Sequence, residues 1–231
     1  LPSFKTASAT DHPGILFIND FANRGGENEW YTALNNLGFV YGDDYDVYYV
    51  NAPSSGLGNG IGGRSNDIMI AGYEDILYTA GDLSVNTITN GDFNNDPGDD
   101  VGTLKAWLDS GGKDIFMTGD DLASDMAQAG TVTLDILENY MGLGLLQNDI
   151  RPLIGNQTAP LVAITGSNPV FGTVSSWIAY GVCAGINTFD AVEVKPGSHR
   201  IAEFLNPAGA SGAYSYSAAT LNPTAGTLGT S

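Results

Sequence analysis

Three apolar runs in this chain each stop at a carboxylate. Ile15-Leu16-Phe17-Ile18 leads into Asn19-Asp20, Ile76-Leu77-Tyr78-Thr79 into Gly81-Asp82, and Ile115-Phe116-Met117-Thr118 into Gly119-Asp120-Asp121. Parallel strands would bring their ends to one sheet edge, where open α/β folds place a ligand crevice. Carboxylates crowded there share protons, hold a cation or work as an acid/base pair. Glycoside hydrolysis asks for two carboxyls about 5–9.5 Å apart, and neighbouring strands about 4.8 Å apart can supply that. Asp20, Asp82, Asp120 and Asp121 are therefore the candidate ligand-binding residues. Asp120 with Asp82 is the candidate catalytic pair, with Asp20 and Asp121 as alternative partners for Asp120. The competing reading is structural: Asp121 suits the N-cap of a following helix, and Asp82 can open a turn.

A second constellation lies in Asp92-Phe93-Asn94-Asn95-Asp96-Pro97-Gly98. The alternating oxygens of Asp92, Asn94 and Asp96 resemble the opening of a calcium loop. Pro97 stands where an EF-hand needs glycine, and Thr103 where it needs glutamate, so the expectation is a looser calcium loop or a plain turn. Calcium is the one cofactor the sequence suggests. The stretch Gly58-x-Gly60-x-x-Gly63 has dinucleotide-loop spacing. It follows a later strand instead of the first, and no helix clearly opens after it, so no nucleotide cofactor is expected. Cys183 is the only cysteine, which rules out an intrachain disulfide; it reads as a small buried hydrophobe. Ser124 falls inside a helix, misplaced for a nucleophile elbow, and His199 reads as an ordinary surface or packed histidine. Aromatic residues, among them Trp30, Tyr31, Tyr41, Tyr45, Tyr48, Tyr49, Trp107 and Trp177, are mostly core or sheet positions, with some able to stack on sugar rings.

Strands and helices alternate over residues 14–142. Strands are expected at 15–18, 45–50, 74–79 and 114–118. Helices are expected from Gly25 to a stop at Gly38 with Trp30, Tyr31, Leu34 and Leu37 inward, and from Asp99 or Asp100 to Gly111-Gly112. Two more follow, with Leu122 and Met126 inward on one and Leu134, Leu137, Tyr140 and Met141 on the other. That alternation argues for a parallel sheet with helices on both faces. Beyond Gly142 strands are expected at 161–165 and 191–194, and a hairpin from 201–205 and 213–218. The organisation expected is a coil lead-in over 1–13, an α/β domain over 14–205 and a Gly/Ala/Ser/Thr-rich tail over 206–231, either strands or a linker.

The 231 residues carry 26 Asp and Glu against 8 Lys and Arg, a net charge of −18. Nucleic acid is excluded as a partner, because phosphate binding needs a basic face. No apolar run is long enough to cross a bilayer, so membrane insertion is not expected. A cation or a neutral polar ligand such as a sugar suits this charge. The composition fits an extracellular or cell-envelope bacterial protein, and the start at Leu1 fits a processed chain or a segment of a longer one with further domains.

Trp107-Leu-Asp-Ser-Gly-Gly-Lys-Asp-Ile-Phe-Met-Thr-Gly-Asp-Asp121 resembles the helix, Gly-Gly turn, strand and elbow of class I glutamine amidotransferase-like domains, in the divergent versions found in secreted bacterial proteins. Residues 73–82 resemble the strand before it, and residues 15–37 the opening strand and helix. The resemblance implies a flavodoxin-like, three-layer α/β sandwich with a mostly parallel central sheet. Active members carry a cysteine at the elbow, which here reads Gly119-Asp120-Asp121-Leu122, and a late His-x-Glu; here His199 and Glu203 stand four apart. The resemblance therefore argues against glutamine hydrolysis. The leading expectation is a binding or accessory domain with an acidic crevice. The alternatives are a hydrolase acting on carbohydrate through paired aspartates and a structural subunit.

Overall fold

The computed structural model describes residues 13–21, 26–50, 58–90, 98–156, 160–165, 174–178, 188–205, 215–223 and 227–230. The chain forms two compact units. The first comprises Leu1–Gly81 and Asn86–Phe116, the second Asp82–Val85 and Met117–Ser231.

The first unit is built on parallel strands β1 (Ile15–Asn19), β2 (Tyr45–Tyr49) and β3 (Asp75–Gly81), in the order β2-β1-β3. Helix α1 (Glu27–Asn36) is the crossover from β1 to β2. Successive strand side chains point to opposite faces. Phe17 on one face packs with Leu34, Tyr45, Phe21 and the half-buried Trp30 and Tyr31. Leu16 and Ile18 are buried beside their register partners Ile76 and Tyr78. Gly38 ends α1 with φ +88, a conformation glycine adopts freely. Leu37 is a correction: it is 74 % exposed, because it follows the last helical turn.

A short α2 (Asp67–Ile70) precedes β3, and α3 (Asp100–Asp109) follows it. Asp99 caps α3, its carboxylate accepting the Gly102 N–H at 2.8 Å, as the sequence suggested. Leu104 and Trp107 are fully buried. Strand β4 (Asp114–Gly119) starts beside β3, with the Asp114 N–H donating to the Glu74 carbonyl at 3.0 Å.

The second unit departs from the expected fold. After β4 come α4 (Leu122–Gln128) and α5 (Thr131–Asp135), the latter running into a π-helical turn over Ile136–Tyr140. The strands that follow are β5 (Leu143–Gln147), β6 (Leu161–Ile164), β7 (Ser176–Ile178), β8 (Ala191–Val194), β9 (His199–Leu205), β10 (Ser215–Asn222) and β11 (Thr227–Thr230). Their pairings, β5–β8, β8–β10, β9–β10, β10–β11, β6–β9 and β6–β7, are all antiparallel. The flavodoxin-like, mostly parallel sandwich is thereby overturned. A parallel neighbour needs a long crossover, usually helical. Among the described residues the only helical segment after β5 is the 3-10 turn Arg151–Ile154, so the strands pair antiparallel.

The residues after 206 supply two strands that complete this sheet. Their polar side chains also close the π-helical turn. Asn222 Nδ2 donates to the Tyr140 carbonyl at 2.9 Å, Thr220 Oγ1 to the Met141 carbonyl at 3.3 Å, and Thr227 Oγ1 to the Tyr140 carbonyl. The last carbonyls of a helix lack intrahelical partners, which gives the Asn and Thr of this stretch a structural task.

Candidate functional site

The end of β4 is the chemical centre of the second unit. Asp120 and Asp121 follow Gly119 and open α4. Both are buried, at 7 % and 9 % exposure. Asp82, half-buried, belongs to the same unit. Burial first, then the charges of Asp121 and Asp82, push the Asp120 carboxyl up to about 7. Asp121 is also raised, by burial and then by Asp149, Asp125 and Asp82. The sequence-derived set Asp82, Asp120 and Asp121 is thus brought into one electrostatic cluster.

A fourth member escaped the sequence reading. Asp190, just before β8, is fully buried. Its Oδ2 accepts the Ser124 N–H at 2.7 Å, and its own N–H donates to the Asp120 carbonyl at 3.0 Å. Burial, with Asp121 and Asp120 nearby, carries its carboxyl up to about 8, against the opposing pull of the Ser124 and Ala123 amides. The Oδ1 atoms of Asp120 and Asp190 are buried with no hydrogen-bond partner. Burying a charge is costly, so both carboxyls hold their protons to higher pH than an exposed aspartate does.

Asp190 also accounts for a partial miss at α4. Asp121 stands at the N-cap position but makes no side-chain cap bond. The cap is supplied by Asp190, whose carboxylate takes the amide a capping residue would take. Ser124 is buried, and its hydroxyl donates to the Asp121 carbonyl at 3.1 Å, which does not make a nucleophile. Arg151 is near enough to matter through Asp149 but is engaged there. Its Nε reaches Asp149 Oδ1 and Oδ2 at 3.0 and 2.8 Å, and Nη2 reaches Oδ2 at 2.7 Å.

Asp20 lies in the first unit. It is fully buried, its N–H donates to the Thr79 carbonyl at 2.9 Å, and its Oδ2 accepts the Tyr78 hydroxyl at 3.3 Å. Its local role is to tie the end of β1 to β3. Asp92, Asn94 and Asp96, the calcium-loop candidates, and Cys183 lie outside the described residues. Asp99 and Asp100, which follow that loop, are engaged in protein contacts. Among the described residues no three His, Cys, Asp or Glu side chains are grouped to hold a metal ion, and no helix is long and apolar enough to cross a membrane. His199 opens β9, exposed to solvent.

The Gly58–Gly63 segment has a different occupant from the one its spacing suggests. The buried Asp100 carboxylate accepts the Gly62 N–H at 2.6 Å and the Thr89 N–H at 3.2 Å. A side chain at Gly60 would meet that carboxylate: an added Cβ would lie 2.1 Å from Asp100 Oδ2. The Tyr48 hydroxyl donates to the carbonyls of Asn59 and Gly60, each at 2.8 Å. Here the anion against the glycine loop is the protein's own aspartate.

No protein-family model and no curated protein matches this chain.

Proposed function

We propose that the acidic centre of the second unit binds a neutral polar ligand of the carbohydrate class, making the chain a binding or accessory module. The observation that carries this reading is the Asp120 carboxyl. It is buried beside Asp121 and Asp82, and its Oδ1 has no hydrogen-bond partner. A carboxyl near half-protonation beside other carboxyls offers donors and acceptors in one place, which suits hydroxyl groups. The net charge of −18 disfavours anionic ligands. The test is thermal unfolding at pH 7 with a panel of neutral mono- and oligosaccharides, since a ligand that binds only the folded chain raises its melting temperature. At least one sugar is expected to stabilise the wild type and to lose that effect in Asp120→Asn. A panel with no stabilising member removes the proposal.

A second reading is a hydrolase, favoured by one specific observation. The Asp120 carboxyl sits at about 7, where a general acid is most effective at neutral pH, and Asp82 or Asp121 would serve as the carboxylate partner. Environments that push paired carboxyls apart in pKa mark acid/base assignments. Turnover of a carbohydrate that is abolished in Asp120→Asn, with no loss of melting temperature, selects this reading over simple binding.

A further inference from the structure

The C-terminal rim of the parallel strands in the first unit carries aromatic and amide groups that the acidic centre does not use. Asn19, the last residue of β1, is in direct register with Tyr49, the last residue of β2. Tyr31 belongs to α1, and its hydroxyl meets both: Asn19 Nδ2 donates to it at 3.3 Å, and it donates to the Tyr49 hydroxyl at 2.9 Å. The first two members of this chain of donors are held in place. Asn19 is 3 % exposed and its Oδ1 accepts the Phe21 N–H at 3.3 Å. The Tyr31 ring stands edge-on to Phe17 with centroids 5.9 Å apart. Tyr49, at the other end, is 39 % exposed. The order of donors leaves its hydroxyl hydrogen available to an outside acceptor.

We infer that this rim is a separate binding site for a neutral carbohydrate, in which the Tyr49 ring packs against a sugar ring and the Tyr31–Tyr49 hydroxyl pair bonds to sugar hydroxyls. A sugar ring has an apolar C–H face and a polar margin, and tyrosine offers the matching combination of apolar body and polar tip. Pre-ordered donors lower the ordering cost of binding. Burial and then the Tyr49 bond raise the Tyr31 hydroxyl pKa well above its ordinary value, so Tyr31 keeps its hydrogen for donation. A neutral cluster on a chain of net charge −18 does not favour uronate or sulfated polymers.

The test is electrophoresis of the full chain through native gels cast with hydroxyethyl cellulose, galactomannan or xylan, with polygalacturonate as the anionic control. The wild type is expected to be retarded in at least one neutral gel and not in polygalacturonate. Tyr49→Ala should lower the association constant roughly tenfold, the loss of one stacked ring. Tyr49→Phe, which keeps the ring, should lower it by roughly threefold, one neutral hydrogen bond. The Tyr49 substitutions are also read in an Asp120→Asn background, where the acidic centre is silent. Retardation that persists there and falls with Tyr49→Ala belongs to this rim; retardation lost with Asp120→Asn alone and unmoved by Tyr49→Ala belongs to the acidic centre and overturns the inference. Unretarded migration of the wild type in every neutral gel overturns the inference. So does retardation of Tyr49→Ala equal to that of the wild type. If Tyr49→Ala unfolds, Tyr49→Phe and Tyr31→Phe carry the test, and wild-type retardation of both overturns it.

Discussion

Asp190 and Ser124, 66 positions apart, are joined by a 2.7 Å bond from the Ser124 amide to the Asp190 carboxylate. Through the Asp190 N–H, which donates to the Asp120 carbonyl, the approach to β8 is tied to the turn that presents the acidic centre. Substituting Asp190 by alanine removes the acceptor for an amide in the first turn of α4. At pH 5, where Asp190 is neutral, this should cost about 1–3 kcal/mol. Asp190→Asn keeps an oxygen acceptor without a titrating charge and should cost less. Urea unfolding at pH 5 checks both; equal loss in the two variants would show that the bond is not what matters.

Stability should fall as pH rises across the neutral range. Asp120 and Asp190 have folded-state values of about 7 and 8, both raised from 3.8. A carboxyl raised on folding binds more protons in the folded state than in the unfolded chain. Its penalty is absent below the unfolded value, grows as pH climbs, and is complete above the folded one. Asp149 acts in the opposite sense. Its burial raises its pKa, but the bonds from Arg151 outweigh that and hold the pKa below its ordinary value, so its contribution is lost only at acid pH. Between pH 5 and pH 8 ordinary carboxylates are already ionised, and the raised pair governs. The melting temperature should therefore be lower at pH 8 than at pH 5. A flat or rising profile over that window would contradict the burial of this pair.

Asp120→Asn should raise the melting temperature at pH 8. The substitution removes a buried charge held beside Asp121 and Asp82 and keeps the shape of the side chain. A gain of about 1–2 kcal/mol, a few degrees for a chain of this size, is expected. At pH 5, where Asp120 is protonated, the gain should disappear. Groups placed for function often lower stability, and their removal restores it. Calorimetry of the two proteins at the two pH values decides the point, and a loss of stability at both would make Asp120 a structural residue.

The part of this architecture that sequence discloses is the part governed by local pattern. Continuous apolar runs such as Ile15–Ile18 and Ile115–Thr118 mark buried strands, and Asp99 marks a helix start through its capping chemistry. Asp82, Asp120 and Asp121 are visible because each follows such a run. The β9–β10 hairpin is legible from its two runs and the loop between them, but strand direction is not encoded in a run of Val, Ile and Leu, so the rest of the antiparallel order of β5 to β11 is hidden. Leu143-Gly-Leu-Leu is as compatible with a helix end as with β5. The polar tail gives no sign that Thr220, Asn222 and Thr227 close the carbonyls of Tyr140 and Met141. Asp190 is a single aspartate ahead of a short strand. Its role depends on an amide brought to it only by the completed fold.

Gly60 gives the sharpest test of the clasp between the glycine loop and α3. Its backbone, φ −64 and ψ 171, is one that any residue adopts, so alanine meets no conformational strain there. The objection is space: the added Cβ would lie 2.1 Å from Asp100 Oδ2 and 2.4 Å from Oδ1. The carboxylate cannot retreat without releasing the Gly62 and Thr89 amides it accepts. Gly60→Ala should therefore destabilise the chain by about 2–4 kcal/mol, combining overpacking with lost buried hydrogen bonds. Asp100→Ala should cost a similar amount by leaving those amides without their acceptor. Because both changes act on one contact, the double variant should fall well short of the sum, with a coupling of about 1 kcal/mol or more. Denaturant unfolding of the four proteins in the cycle measures that coupling, and strict additivity would mean that the loop and Asp100 do not depend on one another.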